Sequence, residues 1–578
     1  MRDDTLELTE GQDALDTLIA DDRPLIPQEL TGIVAATLPA LALAACGGGG
    51  GGSAASPSAA APPPPPPPPA VVLPTPVQSS RFLAQTSMGS TKADIAAVST
   101  SGYDNWLTTQ FAIARTTSHW DWLVSQGFNA ATNMNTQNGF NSTVWRQAIS
   151  GQDILRQRIG LSLLDFLVVG IDGLNTSWQA FAAAAYYDVL LDNAFGNFRD
   201  LIEKVTLNAG MGIYLTYLNN RKANVASGSR PDENYARELM QLFTLGLYKL
   251  NADGTQIATA GKPEETYTPD DVSGLARVFT GFVFDSTDST TPDRLRRPLI
   301  LRASDHETGA KTFLGVTIPA GTDGMASLKI ALDTIFAHPN VPPFISKQLI
   351  QRLVTSNPST AYVGRVSAVF ANNGSGVRGD LKAVIRAILL DTEARSDTNI
   401  TALSFGKLRE PVVRLTNWAR AFGVTSPSEA WSFGDTSSTA NRLGQSIGHS
   451  PSVFNYFRPG YAPPNTSIAS SNLVGPEFQI TSEPSVIAYV NYMQSLIQNG
   501  AGDAKANYAD ILTKASDSQA LVDEVNLVLS AGQLSAATLA TIKGAVDSIS
   551  VTATNGPLNR VYTAILLTMA APDYITQK

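Results

Sequence analysis

Six consecutive glycines, Gly47–Gly52, followed shortly by eight consecutive prolines, Pro62–Pro69, divide this 578-residue chain into two parts that no packed element can join. Gly-rich chain is flexible coil, whereas a proline run is a stiff polyproline II rod, roughly 25 Å long for eight residues at about 3.1 Å each. The two runs make residues 47–80 a Gly/Ser/Pro-rich linker. It separates an N-terminal segment, 1–46, from everything that can build a core.

The N-terminal segment ends in LTGIVAATLPALALAAC, Leu30 to Cys46. This apolar stretch is too short, and too interrupted by Pro39, to span a membrane well. It reads as the hydrophobic region of a signal peptide. Its last residues, Leu43-Ala44-Ala45-Cys46, resemble the bacterial lipobox, in which the cysteine is lipidated and becomes the new N-terminus. The expectation is an exported lipoprotein held through Cys46, its only cysteine, in the cell envelope, at the outer membrane or periplasmic face. The competing reading, a buried Ala-rich helix with a core cysteine, leaves the adjoining glycines and prolines unexplained. Residues 1–46 carry nine acidic side chains against Arg2 and Arg23, so −7 of the formal net charge of −9 lies there and −2 in the rest. An acidic leader departs from the short, positive start of most signal peptides.

The nearly neutral remainder has no long basic run, which argues against nucleic acid as a partner. At 43% hydrophobic and 16% charged residues the chain can bury a sizeable core. Apolar residues recur at helical spacing to the C-terminus, with few alternating runs. The expected fold is therefore mainly α: a large multi-helix domain with irregular Pro/Gly-rich loops behind a disordered N-terminal tether. Its body covers 81–480 and its C-terminal helical part 481–578, where Leu566, Met569 and Tyr574 pack back on the domain. Thr91 with Asp94, and Thr268-Pro269-Asp270-Asp271, are helix starts with a capping box.

The densest polar text runs from Arg230 to Gly246. Pro231 suits a first helical turn, and Tyr235, Leu239, Leu242 and Phe243 form a buried stripe. Glu233 with Arg237, and Asn234 with Glu238, stand four apart. One reading places Glu233 and Glu238 in a cleft, held by Arg237 and Asn234, as acid/base groups or cation ligands. The plainer reading is a solvated helix face, where such pairs contribute tenths of a kcal/mol. His306 and Lys311, in a polar loop, are possible contributors to the same site. The four histidines show no i,i+4 pair, so no zinc site is supported, and His338 at a helix end serves the helix dipole. Gly444-Gln445-Ser446-Ile447-Gly448 matches G-x-S-x-G but lacks the strand that a nucleophile elbow needs. No cofactor motif is present.

The order of the blocks DILRQRIGLSLLDFLVV, PDENYARELMQLFTLGLY, YTPDDVSGLARVFTGF, HETGAKTFLG and GQSIGHSPSVFNYFRPGY resembles the bacterial family known as domain of unknown function 1800, from about Arg81 to Lys578. The resemblance implies a helical, exported protein and brings no settled activity. It also implies a partner, an exported protein of the domain of unknown function 1501 family, whose genes often lie nearby. Asn208-Ala209-Gly210-Met211-Gly212 stands where that family usually has His-Pro-Ala-Met-Gly, so a ligand role for that histidine is absent. His306-Glu307 stands where it often has His-Asp. Two functions follow as expectations: a surface or periplasmic binding or assembly module, or a carboxylate-dependent, hydrolase-like enzyme centred on the Glu233–Glu238 segment.

Overall fold

Local capping chemistry sets the first helices. A computed structural model describes residues 72–115 and 117–578; Cys46, the leader and the Gly/Pro runs lie outside the described residues. Gln78 N donates to Thr75 Oγ1 and Thr75 N to Gln78 Oε1, which opens the Pro76–Thr86 helix. Thr91 and Asp94 repeat the exchange and open Lys92–Ser101, as the sequence pattern requires.

Ile154–Leu164 buries every side chain but Arg156. A helix buried on nearly all faces has to be central. It runs against Gln179–Asp192. Gly160 permits the approach, since a Cβ there would lie 2.3 Å from Leu191 Cδ2.

Pro231 does not open a helix. Asp232 Oδ1 accepts from Asn234 N at 2.8 Å while Asp232 N donates to Asn220 Oδ1 at 3.0 Å, and this side-chain turn delays the start. The helix is Asn234–Glu238 and passes directly into a π-helix, Leu239–Thr244, where Leu245 N reaches back five residues to Met240 O at 2.8 Å. Pro269–Ala276 follows, capped by Thr268 and Asp271, and packs on the hairpin Lys311–Phe313 with Val316–Ile318.

Gly324–Ala337, Val341–Leu353, Thr360–Ala371 and Leu381–Leu390 come next; Val341–Leu353 packs on Thr360–Ala371, which packs on Leu381–Leu390. In the C-terminal part Glu483–Asn499, Ser518–Ser530 and Ala536–Asp547 all pack on Gly556–Ala570. Met569 and Tyr574 are buried, and Leu566 is partly buried against the same core. The protein is mainly α. Among the described residues the strands form only two-stranded antiparallel pairs, one of them joining Lys407–Leu408 to Thr576–Gln577. Val71–Lys578 makes one compact unit. No helix among the described residues is long and apolar enough to cross a membrane.

Candidate functional site

Of the residues singled out in the Glu233–Glu238 segment, Glu238 is the one taken out of water. It is 8% exposed, and its Oε2 is buried with no hydrogen-bond partner. Burial pushes its carboxyl up to about 7, against the pull of the Arg237 charge. The π turn begins at the next residue, a local geometry often found at functional sites. Glu233 and Arg237 instead form a partly exposed pair at 3.4 Å, and Glu233 also accepts from Ser273 Oγ. The Asn234 side chain makes no bond to Glu238.

His306 and Lys311 come together elsewhere. His306 Nδ1 lies 2.8 Å from Thr280 O, and its Nε2 is buried without a partner. Lys311 Nζ lies 3.4 Å from Ser327 Oγ, and burial lowers its pKa. Among the described residues no hydrogen bond or ion pair joins either to Glu238. His338 follows the last turn of Gly324–Ala337, where its Nδ1 accepts from Asn340 N at 3.1 Å. Burial lowers its pKa, so it is a neutral turn acceptor rather than a cation at the helix dipole.

The strongest electrostatic feature lies in residues that sequence reasoning passed over. Arg158, Arg352 and Lys407 meet Asp165, Glu410 and Glu477, all six buried. Lys407 Nζ lies 2.9 Å from Glu477 Oε1 and 3.5 Å from Glu410 Oε1, Arg158 Nη1 lies 3.7 Å from Glu410, and Arg352 Nε lies 4.0 Å from Asp165. Burial, and the negative Glu410 beside it, push the Asp165 carboxyl well up. At Glu410 burial is outweighed by Lys407, Arg158 and the Gln445 amide, so its carboxyl is held low. The available signal was polarity in the wrong place: Arg158 and Asp165, seven apart, sit within an apolar helix and its end.

One loop connects this ionic floor to a cavity. Gln445 Nε2 donates to Glu410 at 2.9 Å and Asn455 Nδ2 to Asp165 at 3.0 Å, pinning the loop from inside. Gly444 and Gly448 have φ of +73° and +79°, and a Cβ at Gly448 would strike the Phe140 ring at 2.6 Å. Both positions therefore favour glycine. Ser446 between them is buried, its Oγ accepting from Thr436 N and its own N donating to Tyr456. The outer side of the loop lines a cavity of about 760 Å³, together with Asp172, Tyr214 and Gln479. His449 Nδ1 lies 2.8 Å from Asp172 Oδ2 and its Nε2 2.9 Å from Asn141 Oδ1. Tyr214 ends the Ala209–Tyr214 helix, which Asn208 caps, and its ring packs where Gly173 has no side chain. Burial and the nearby Glu238 carboxyl push the Tyr214 phenol up to about 12.

Fold and cavity together define a mainly α protein with a cavity whose lining loop also meets buried ion pairs. The chain belongs to the family described as protein of unknown function (DUF1800), whose model matches residues 81–576. No curated protein and no solved structure matches the chain.

Proposed function

We propose that this protein is an exported, lipid-anchored binding module that presents the cavity between Asp172, Tyr214 and the Gly444–Gly460 loop to a ligand. The observation that carries the reading is the cavity itself. Its volume of about 760 Å³ falls in the range of small-molecule sites, roughly 300–1,000 Å³, and polar groups converge on it from distant parts of the chain. Anchorage through Cys46, and an exported partner of the domain of unknown function 1501 family, belong to the same proposal.

The test is a thermal-shift screen of the full chain against mixed small molecules. A hit that raises Tm in wild type and is lost in Thr439→Trp, an exposed mouth position, supports the reading. Hits indifferent to that substitution overturn it. For the anchor, palmitate labelling that Cys46→Ala abolishes is the expected result, and equal labelling removes that part.

A second reading, a carboxylate-dependent enzyme, is favoured by Glu238: a buried carboxyl holding its proton to about 7 is suited to general acid/base work near neutrality. Loss of turnover of a screening hit in Glu238→Gln with binding retained would establish it; retained turnover would remove it.

A further inference from the structure

We propose that the ligand of this cavity is a neutral carbohydrate, a claim that rests on the binding reading above and names its ligand class. The argument begins with charge. Among the described residues no lysine or arginine lines the cavity, so phosphate, sulfate or carboxylate groups have no lysine or arginine to meet. The lining carboxylate is already answered from within the protein. Asp172 Oδ2 receives His449 Nδ1 at 2.8 Å, and Asp172 Oδ1 accepts from Gln137 Nε2 at 3.1 Å. His449 in turn has Asn141 Oδ1 at 2.9 Å from its other nitrogen, leaving neither ring nitrogen for an outside partner. An ammonium ligand would have to compete with His449 for Asp172, and an anionic one would meet no lysine or arginine among the described lining residues.

Uncompensated hydrogen-bonding capacity sets the second condition. Gln479 accepts from Arg458 N through Oε1 at 2.8 Å, and its NH₂ has no partner among the described residues. The Tyr214 hydroxyl makes no hydrogen bond among the described residues. A wholly apolar ligand would strip water from these groups and leave them unpaired, which opposes its binding. The ligand that fits is uncharged yet rich in donors and acceptors.

Aromatic surface is the third condition. Tyr214 and Tyr456 both line the cavity, and Tyr456 is fixed there because its hydroxyl accepts from Ser446 N at 3.1 Å. A tyrosine lining a site offers an apolar ring beside a polar hydroxyl. A pyranose has the same dual character, with C–H bonds on its faces and hydroxyls around its edge.

The full chain is probed with neutral hexose and N-acetylhexosamine oligosaccharides, with uronate and sulfated counterparts, and with quaternary ammonium compounds and short apolar peptides. The expected result is binding of neutral oligosaccharides, weakened at least tenfold by Tyr214→Ala and abolished by Thr439→Trp, with unchanged circular dichroism confirming that both variants fold. If Tyr214→Ala does not fold, Gln479→Ala serves in its place, again with at least a tenfold loss expected. Tighter binding of the uronate, sulfated, ammonium or apolar probes, still blocked by Thr439→Trp, overturns the carbohydrate assignment and leaves the binding reading standing. If every probe is indifferent to Thr439→Trp, both fall.

Discussion

Glu238 offers a pH signature of its own. In an unfolded chain its carboxyl ionises near the ordinary 4.5, whereas the folded protein holds the proton to about 7. Between those values the folded state binds more protons, so stability falls as pH rises through that window. The effect is absent below about 4.5 and complete above about 7, where at 1.36 kcal/mol per unit it reaches about 3 kcal/mol. Glu238→Gln is expected to match wild type at pH 4 and to exceed it at pH 8 by up to that amount. Denaturant titrations at the two pH values check this; a constant offset between the curves would refute it. Lys407 lies at the opposite extreme. It faces both Glu410 and Glu477, and Lys407→Met leaves buried carboxylates short of a cation, for a loss of about 3–5 kcal/mol. Adding Glu477→Gln removes one of the stranded carboxyls and is expected to recover part of the loss; a double mutant no better than the single contradicts the pairing.

Elements follow local rules until a tertiary contact outbids them. The capping boxes at Thr91 and Thr268 were readable because a threonine and an aspartate three residues apart need only each other. Helical faces were readable for the same reason of short range. The start of the Glu238 helix was not, because Asn220, fourteen residues before Asn234, engages Asp232 and turns the chain there. The ionic floor draws on residues 158 to 477 and the cavity on residues 172 to 482, pairings that no periodicity encodes. Gly274 shows how tightly two elements meet. A Cβ on it would fall 1.7 Å from Thr312 O, backbone of the hairpin that carries Lys311. Gly274→Ala is therefore expected to force helix and hairpin apart and to cost about 1–3 kcal/mol. Chemical denaturation measures it, and a stabilised variant would show that the contact is not as close as described.

At the scale of the whole molecule, the two ends of the described chain meet. Gln577 Nε2 donates to Leu353 O at 2.8 Å, Lys578 Nζ donates to Ala402 O and Phe405 O at 2.7 and 2.6 Å, and Arg81 Nε reaches Lys578 O at 3.3 Å. Deleting Thr576–Lys578 removes these bonds and the strand pair with Lys407–Leu408. At about 0.5–1.5 kcal/mol per hydrogen bond the loss amounts to several kcal/mol. Thermal melting of the truncated chain checks this, and an unchanged Tm would show the terminal strand to be dispensable.

That terminal strand also sets an order of events. A chain is synthesised from its N-terminus, so Lys407, Glu410 and Glu477 are made about a hundred or more residues before the strand that pairs with Lys407–Leu408. The pair between Lys407–Leu408 and Thr576–Gln577 can therefore close only after all three ion-pair residues are in place along the chain, which makes it a late contact beside the charged interior.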